Sequence, residues 1–176
     1  MRLLALVLLL VPAVATGQSA LQFNLGLSYT GSEEPYQEIS GSAVADLSGP
    51  FILSAGVAQA NALYSVDYHY PSRPWVDIDP GFYAVPSTVR SWTTLSAYGG
   101  LRLDGGWASA QVAGGPVLSV ASYAGDDVLV GGGVGAEVGV LDVYPVPSVG
   151  LGLSVHGATT TSHSWAGARL GVRVRL

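Results

Sequence analysis

Three arginines alternate with aliphatic residues at the end of this 176-residue chain. Arg169, Arg173 and Arg175 would share one face of an extended strand, and the aliphatic residues between them would share the other. Arginine binds carboxylates with two parallel hydrogen bonds, and a buried charge without a partner is expensive. Glu137 is the only acid on a predicted mid-strand face. We therefore expect a network of paired side chains in the interior. Its predicted members are Arg90, Arg102, Glu137, His156, Arg169, Arg173 and Arg175. The alternative is a narrow pore that prefers anions.

The sequence offers little support for a nucleophilic catalytic site or for a metal site. Ser154 and His156 share a strand face, which permits a hydrolase, but His156 is expected to point inward as a hydrogen-bonding residue. His69 and His163 lack a ligand cluster at metal spacing. The segment GGGVGAEVG at 131–139 fits a phosphate loop loosely, but no helix follows it. We expect no catalytic residue, no metal and no cofactor.

Composition narrows the class of protein. Charged residues make up 11% of the chain, hydrophobic residues 49%, and the net charge is −5. A soluble domain carries about 25% charged residues. No basic stripe is present to neutralise phosphates, so nucleic acid is excluded as a partner. Cysteine is absent, and with it disulfide and thiolate chemistry.

The first residues have the features of an export signal. Arg2 is followed by the apolar run Leu3–Leu10 and by small residues up to Gly17. The run is shorter than the roughly 20 residues of a spanning helix, which makes a retained anchor the weaker interpretation. The predicted division is a signal peptide at 1–17 and one mature domain at 18–176.

The mature domain is predicted to consist of strands. Alternation of apolar and polar residues, interrupted by turn signals such as Ser48–Pro50 and Asp104–Gly106, indicates eight of them. Their expected ranges are 21–29, 39–47, 51–60, 89–103, 107–120, 128–141, 148–157 and 165–176.

The connections between these strands alternate in length. Long segments at 30–38, 61–88, 121–127 and 158–164 alternate with short ones at 48–50, 104–106 and 142–147. This rhythm is typical of an antiparallel up-and-down barrel with both termini on one side. The predicted fold is all-β, an eight-stranded transmembrane barrel.

Two barrels of opposite polarity fit the alternation. In a membrane barrel the aliphatic faces meet lipid and the arginines line the lumen. In a secreted, lipocalin-like barrel the faces are reversed. The export signal, the aliphatic face on nearly every strand and a mean hydropathy of +0.41 favour the membrane barrel. Aromatic residues at the strand ends are expected to form two interfacial belts, of Tyr29, Tyr123 and Trp165 at one rim and Phe51, Trp107 and Tyr144 at the other.

The signal, the eight strands, the loop rhythm and a chain that ends inside its last strand resemble the small outer-membrane β-barrels of the OmpA/OmpX-like type. The resemblance covers the whole mature chain and is architectural, without a functional motif. It implies recognition of the last strand by the barrel-assembly machinery. Ala168, Leu170, Val172 and Val174 match the alternation of that strand, whereas Leu176 stands where an aromatic residue is usual.

Outer-membrane lipid deacylases resemble this fold and use a histidine with a serine two residues later. Here Ala158 takes the place of that serine. An enzyme is therefore not expected.

The long connections are acidic, and the longest is also aromatic. Segment 61–88 carries the candidate surface residues Trp75, Asp77, Asp79, Phe82 and Tyr83. Loops carry function on such scaffolds, and this composition suits adhesion, glycan contact or cation binding. The alternative is a solvated loop that only shields the barrel mouth.

Together these features predict a protein of the bacterial outer membrane with a structural or surface-interaction role, a plugged polar lumen and acidic extracellular loops. The expected partners are outer-membrane lipid, the assembly machinery during insertion and an extracellular ligand at the loops, and the barrel is expected to be a monomer. The other functions consistent with the sequence are a narrow channel for small ligands, a membrane-embedded lipid hydrolase and a secreted lipocalin-like binder.

Overall fold

The computed structural model describes residues 19–30, 35–63, 89–105, 107–123 and 128–176. These residues form eight antiparallel strands, each paired with the next, and the last pairs with the first to close a barrel. The strands are β1 (Ser19–Tyr29), β2 (Pro35–Asp46), β3 (Phe51–Ala62), β4 (Val89–Asp104), β5 (Ala108–Tyr123), β6 (Val128–Val146), β7 (Val149–Thr160) and β8 (Ser164–Arg175). The predicted fold class is confirmed. No described segment forms a helix long and apolar enough to cross a bilayer.

We call the end of the barrel that carries the three short turns the short-turn rim, and the opposite end the long-loop rim. The turns lie at 47–50, between Asp104 and Ala108, and at 147–148. Gly49 in the first turn has φ of +72°, a left-handed conformation that glycine adopts without strain. The predicted signal peptide and the candidate surface residues Trp75, Asp77, Asp79, Phe82 and Tyr83 lie outside the described residues.

The two faces of the strands have opposite chemistry. On the outer face Leu25 is 60% exposed and Leu170 is 68% exposed. On the inner face Glu38 is 1% exposed and Arg173 is 2% exposed. Closure satisfies the backbone of every strand without an open edge along the wall, as hydrocarbon requires. The aliphatic residues therefore point outward and the arginines of β8 point into the lumen.

Two of the differences between the predicted and the observed strand bounds bring acids into the lumen. β2 begins at Pro35, earlier than predicted, so Glu38 lies on a strand and not in a loop. β6 runs to Val146, so Asp142 lies on a strand and not in a turn. The expectation that Glu137 is the only acid on an inner face was wrong.

A β-bulge explains the position of Asp142. The register of β6 shifts between Gly139 and Leu141, and both Val140 and Leu141 are exposed on the outer face. A bulge inserts one extra residue and reverses the inward–outward alternation beyond it. Asp142 and Tyr144 are buried in the lumen as a result.

The predicted aromatic belts are half correct. Tyr29, Phe51 and Trp107 are exposed on the outer surface. Three others are buried on the inner face, a correction that concerns Tyr123, Tyr144 and Trp165. The position of a residue at a strand end does not decide its face, because adjacent residues alternate between lipid and lumen.

Candidate functional site in the barrel interior

Glu38 is the centre of the polar network halfway along the barrel. Its carboxylate accepts hydrogen bonds from Ser28 Oγ, from His156 Nε2 at 2.9 Å and from Arg169 Nε at 2.6 Å. Arg169 Nη2 forms a further ion pair with the same carboxylate. A nearly fully buried charge requires this degree of hydrogen bonding to compensate for lost hydration.

The strand register explains why Glu38 and Arg169 meet. Gly26 of β1 lies opposite Glu38 on one side and opposite Arg169 on the other. A β-carbon at Gly26 would lie 2.9 Å from Arg169 Cγ. The absence of a side chain at position 26 leaves the space in which the two residues from β2 and β8 make their contact.

Arg169 also links the network to β6. Its Nη1 donates to Glu137 Oε2 at 3.1 Å, so one guanidinium bridges two carboxylates. Glu137 lies opposite His156 in the register of β6 and β7. This layer, which we call the mid-lumen cluster, consists of Ser28, Glu38, Glu137, His156 and Arg169.

A second layer of charges fills the lumen near the short-turn rim. Arg173 forms an ion pair with Asp142 and donates to Gln22 at 2.8 Å and to Gln111 at 2.7 Å. Arg102 forms an ion pair with Asp46. The fork of donors on each guanidinium suits it to bind several strands at once.

Arg175 closes this layer at the rim. Its Nη2 lies 3.0 Å from Asp104 Oδ2, and its guanidinium carbon lies 3.8 Å from the centre of the Tyr144 ring. The geometry is that of a cation–π contact. The layer that we call the rim cluster therefore contains the ion pairs Arg102–Asp46, Arg173–Asp142 and Arg175–Asp104.

Aromatic side chains fill the lumen near the long-loop rim. Trp92 is 1% exposed, and its ring centre lies 4.6 Å from Tyr36, 5.2 Å from His163 and 5.8 Å from Trp165. Tyr36 donates its hydroxyl hydrogen to the carbonyl of Val89 at 2.5 Å. We call Tyr36, Trp92, His163 and Trp165 the aromatic cap.

His163 is the titratable member of the cap, in the connection between β7 and β8. Its Nδ1 lies 3.0 Å from Ser162 Oγ, and its ring stacks on Trp165 at 4.8 Å. Burial lowers the pKa of His163 below its ordinary value, because the surroundings solvate the imidazolium poorly. The neutral imidazole is therefore the form that suits the cap.

The contacts of Ser28, His156 and Glu38 are not those of a catalytic triad. In a triad one ring nitrogen faces the serine and the other donates to the acid. Here Ser28 lies 3.3 Å from His156 Nε2, the same nitrogen that donates to Glu38. A carboxylate only accepts, so Nε2 carries a hydrogen and cannot take one from Ser28. His156 Nδ1 has no partner in the described part of the chain, nor does Ser154 Oγ.

The cavity that borders the mid-lumen cluster is small. A cavity of about 40 Å³ lies beside the mid-lumen cluster, lined in part by Ser40, Ser42, Ser54 and Ser96. A void of this size holds a few water molecules at most. The wall of small hydroxyl residues on β2, β3 and β4 borders it.

The sequence identified most of the arginines but few of their partners. The structure brings Glu137, His156 and Arg169 together in the mid-lumen cluster and places Arg102, Arg173 and Arg175 in the rim cluster. Arg90 is exposed at the start of β4, beside a register shift, and belongs to neither cluster. The interior residues that sequence reasoning missed include Glu38, Asp46, Asp142 and Trp92. Glu38 and Trp92 have the parity of inward neighbours, a signal that could have found them.

No protein-family model and no curated protein matches the chain. Solved structures do match. Neisserial surface protein A has a TM-score of 0.61 at 13% identity, over 90% of this chain and 96% of that chain. The N-terminal barrel domain of Pseudomonas aeruginosa OprF has 0.60 at 12%, over 92% and 100%. Ail, the attachment invasion locus protein of Yersinia pestis, has 0.56 at 12%, over 92% and 100%.

These likenesses establish the fold. The chain has the closed eight-stranded barrel of small outer-membrane proteins, and its apolar outer surface and polar interior are those of a transmembrane barrel. The predicted architectural resemblance to small outer-membrane barrels is therefore confirmed.

Proposed function

We propose that this protein is a structural or surface-interaction barrel of the outer membrane whose lumen is closed to ions. The observation that carries the proposal is the stacking of three side-chain layers across the lumen: the aromatic cap, the mid-lumen cluster and the rim cluster. An eight-stranded barrel is only wide enough to be filled by its own side chains. The mutual pairing of charges in two of the layers supports a static plug.

The contacts around Ser28 and His156 support the proposal that the protein is not an enzyme. Ser28 and Glu38 are almost fully buried, and both Ser28 Oγ and His156 Nε2 donate to the Glu38 carboxylate. A lipid substrate reaches the outer surface of the barrel, whereas these groups face the axis. A hydrolase would need a nucleophile on an accessible surface.

The acidic long connections remain the proposed site of extracellular contact. By sequence, Glu33, Glu34, Asp126 and Asp127 belong to these connections, and segment 61–88 adds further acids and aromatic residues. Ail has been solved in complex with the heparin analogue sucrose octasulfate. Acidic loops would repel such a polyanion, so we propose a cationic or neutral ligand for this barrel. The expected membrane lipid, assembly-machinery contact and monomeric state are part of the same proposal.

Conductance in planar lipid bilayers tests the plug. The wild-type barrel is expected to give no discrete current steps. Replacing Arg169 and Trp92 together by alanine removes the link between two carboxylates and the centre of the cap, and is expected to produce small steps. The matched control is Trp107→Ala, which removes an exposed indole from the outer face and should stay silent.

Discrete ohmic steps from wild-type protein would overturn the plug and favour the narrow channel, for which the hydroxyl-lined cavity would be the route.

A lipid-deacylation assay on the same preparation tests whether the protein is a lipid hydrolase. Turnover that disappears in Ser28→Ala would contradict the assignment of Ser28 to the mid-lumen cluster alone.

A further inference from the structure

The mid-lumen cluster contains one more acid than arginine. Glu38 and Glu137 both carry carboxylates, and Arg169 is the arginine that pairs with both of them. The rim cluster differs, because each of its three arginines pairs with an aspartate of its own. A buried charge without a counter-charge is strongly unfavourable in the interior of a membrane-spanning barrel. The excess negative charge of the mid-lumen cluster therefore needs a positive partner.

His156 does not supply this partner in the arrangement that the structure shows. Its Nε2 donates to Glu38 and so carries the single hydrogen of a neutral ring. A second hydrogen would sit on Nδ1, which is buried and has no acceptor in the described part of the chain. Burying a donor without an acceptor is unfavourable. The neutral imidazole fits this environment, and the cluster keeps its negative charge.

The other strands bring no further cation to the cavity beside the cluster. Among the described residues that line this cavity, the charged side chains are those of Glu137 on β6 and Arg169 on β8. β1 and β5 contribute neutral amides, β4 contributes Tyr98, and β2 and β3 contribute serine, glycine and small apolar residues. The charge of Arg169 is already shared between two carboxylates.

Glu137 presents an uncommitted oxygen at the cavity. Its Oε2 accepts a hydrogen bond from Arg169 at 3.1 Å, and its Oε1 has no hydrogen-bond partner among the described residues. The side chain of Glu137 is 14% exposed, whereas that of Glu38 is 1% exposed and lies closer to Arg169, at 2.6 Å. The negative charge that Arg169 does not neutralise is therefore located mainly on Glu137, beside the cavity.

The wall on β2, β3 and β4 presents neutral oxygen atoms to the same cavity. Ser42 of β2 lies opposite Gly56 of β3, which lies opposite Ser96 of β4. A β-carbon at Gly56 would lie 3.1 Å from Ser42 Cβ and 3.3 Å from Ser96 Oγ, so the two serines converge above this glycine. Ser54 lines the cavity next to them. Carboxylate, hydroxyl and water oxygens are the ligands that hard cations prefer.

We propose that the lumen binds one monovalent metal cation, Na⁺ or K⁺, in the cavity between Glu137 and the hydroxyl groups of Ser42, Ser54 and Ser96. One positive charge neutralises the cluster, whereas a divalent ion would leave it positive. Among the described residues no group of three or more histidine, aspartate or glutamate side chains is arranged for a metal ion of the usual multivalent kind.

The size of the cavity also sets a limit on the ion. Its volume of about 40 Å³ accommodates a partly dehydrated ion of water-like size and excludes a bulky organic cation. This cation site is distinct from the proposed plug, since a bound counter-ion stabilises the folded barrel whether or not the lumen conducts.

The stability of the folded barrel reports the cation, because binding to the folded state alone shifts the unfolding equilibrium. The wild-type barrel is refolded into lipid vesicles near pH 8, at which an ordinary histidine is neutral. The buffers contain KCl or NaCl mixed with choline chloride at constant ionic strength. The unfolding equilibrium constant in urea should fall by the factor 1 + [cation]/Kd, so a Kd of about 50 mM gives a roughly tenfold drop between about 5 mM and 500 mM cation.

Two acid variants locate the site. Glu137→Gln removes the excess charge and should abolish the difference between K⁺ and choline. Asp104→Asn makes the corresponding change in the rim cluster and is the matched control, which should keep the wild-type response to K⁺.

A serine variant decides if Glu137→Gln does not fold in a folded-versus-boiled gel shift. Replacing Ser42 and Ser54 together by alanine removes two oxygens from the cavity wall and should raise the Kd at least about fivefold. Ser119→Ala changes a buried serine that does not border the cavity, and should leave the Kd unchanged.

Equal stability of the wild-type barrel in K⁺, Na⁺ and choline would overturn the cation site. An identical response to K⁺ in the wild type and in Glu137→Gln would also overturn it, because the ions would then act elsewhere on the protein. Conductance separates this site from the plug. A barrel that conducts and is stabilised by K⁺ would refute the plug alone, and a silent barrel that does not respond to K⁺ or Na⁺ would refute the cation site alone.

Discussion

Glu38 accepts most of the hydrogen bonds in the mid-lumen cluster, so we predict that its charge contributes more to the stability of the barrel than the charge of Glu137. The sequence alone would have assigned this role to Glu137. Glu38→Gln keeps the size of the side chain and removes its charge. Arg169 then loses its closest carboxylate, and His156 loses a charged acceptor at 2.9 Å. The change is confined to the lumen because Glu38 is 1% exposed.

The expected loss of stability follows from what remains around Arg169. Breaking a buried ion pair by removing one partner costs about 3–5 kcal/mol. Arg169 keeps Glu137 at 3.1 Å, which favours the lower end, about 3 kcal/mol. Glu137→Gln removes the negative charge from one hydrogen-bond acceptor of Arg169 and leaves the Arg169–Glu38 pair intact, so its expected cost is about 1 kcal/mol.

Urea unfolding of barrels refolded into lipid vesicles, followed by tryptophan fluorescence, measures both variants. Glu137→Gln is the matched control, since it makes the same chemical change on the neighbouring carboxylate. In an Arg169→Met background the two substitutions should differ much less, because their common partner is gone. A Glu137→Gln variant that is destabilised as much as Glu38→Gln would refute the central role of Glu38.

Further expectations concern the faces, the packing and the cap. Single-cysteine variants at Val172 and Arg173, labelled with a fluorophore, should be quenched by lipid-borne quenchers at 172 and not at 173; quenching of neither would contradict the lipid-facing assignment. Gly26→Val should destabilise the folded barrel strongly, because its β-carbon would meet the backbone carbonyl of Ala168 as well as Arg169. Unchanged urea unfolding would refute that close approach. Burial lowers the pKa of His163 in the folded barrel, so near pH 6.5, the pKa of an unperturbed histidine, the unfolded chain binds more protons and the free energy of unfolding should decline as the pH falls below about 6.5. His163→Phe should flatten this decline in unfolding curves measured at several pH values. An identical pH profile would exclude His163 as its source.

The sequence determined which residues share a face wherever strict alternation holds. Residues two apart on a strand point to the same side whatever the rest of the chain does. Arg169 and Arg173 were therefore assigned to one face and Leu170 and Val172 to the other from local pattern. The count of strands and the rhythm of their connections followed from turn residues, which act through local backbone preferences.

Tertiary structure decided where the alternation of faces is interrupted and which side chains contact each other across the lumen. The bulge at Val140 and Leu141 reverses the parity of β6, and only the pairing with both neighbouring strands produces it. Glu38 and Arg169 are 131 residues apart in sequence, and their contact depends on closure of β8 against β1 and on the space at Gly26. Tyr144 turns inward beyond the same bulge, whereas Trp165 shares the parity of Arg169 on β8. The alternation fixes two faces of each strand, whereas the partners across the lumen are set by the relative register of all eight strands, which no single segment encodes.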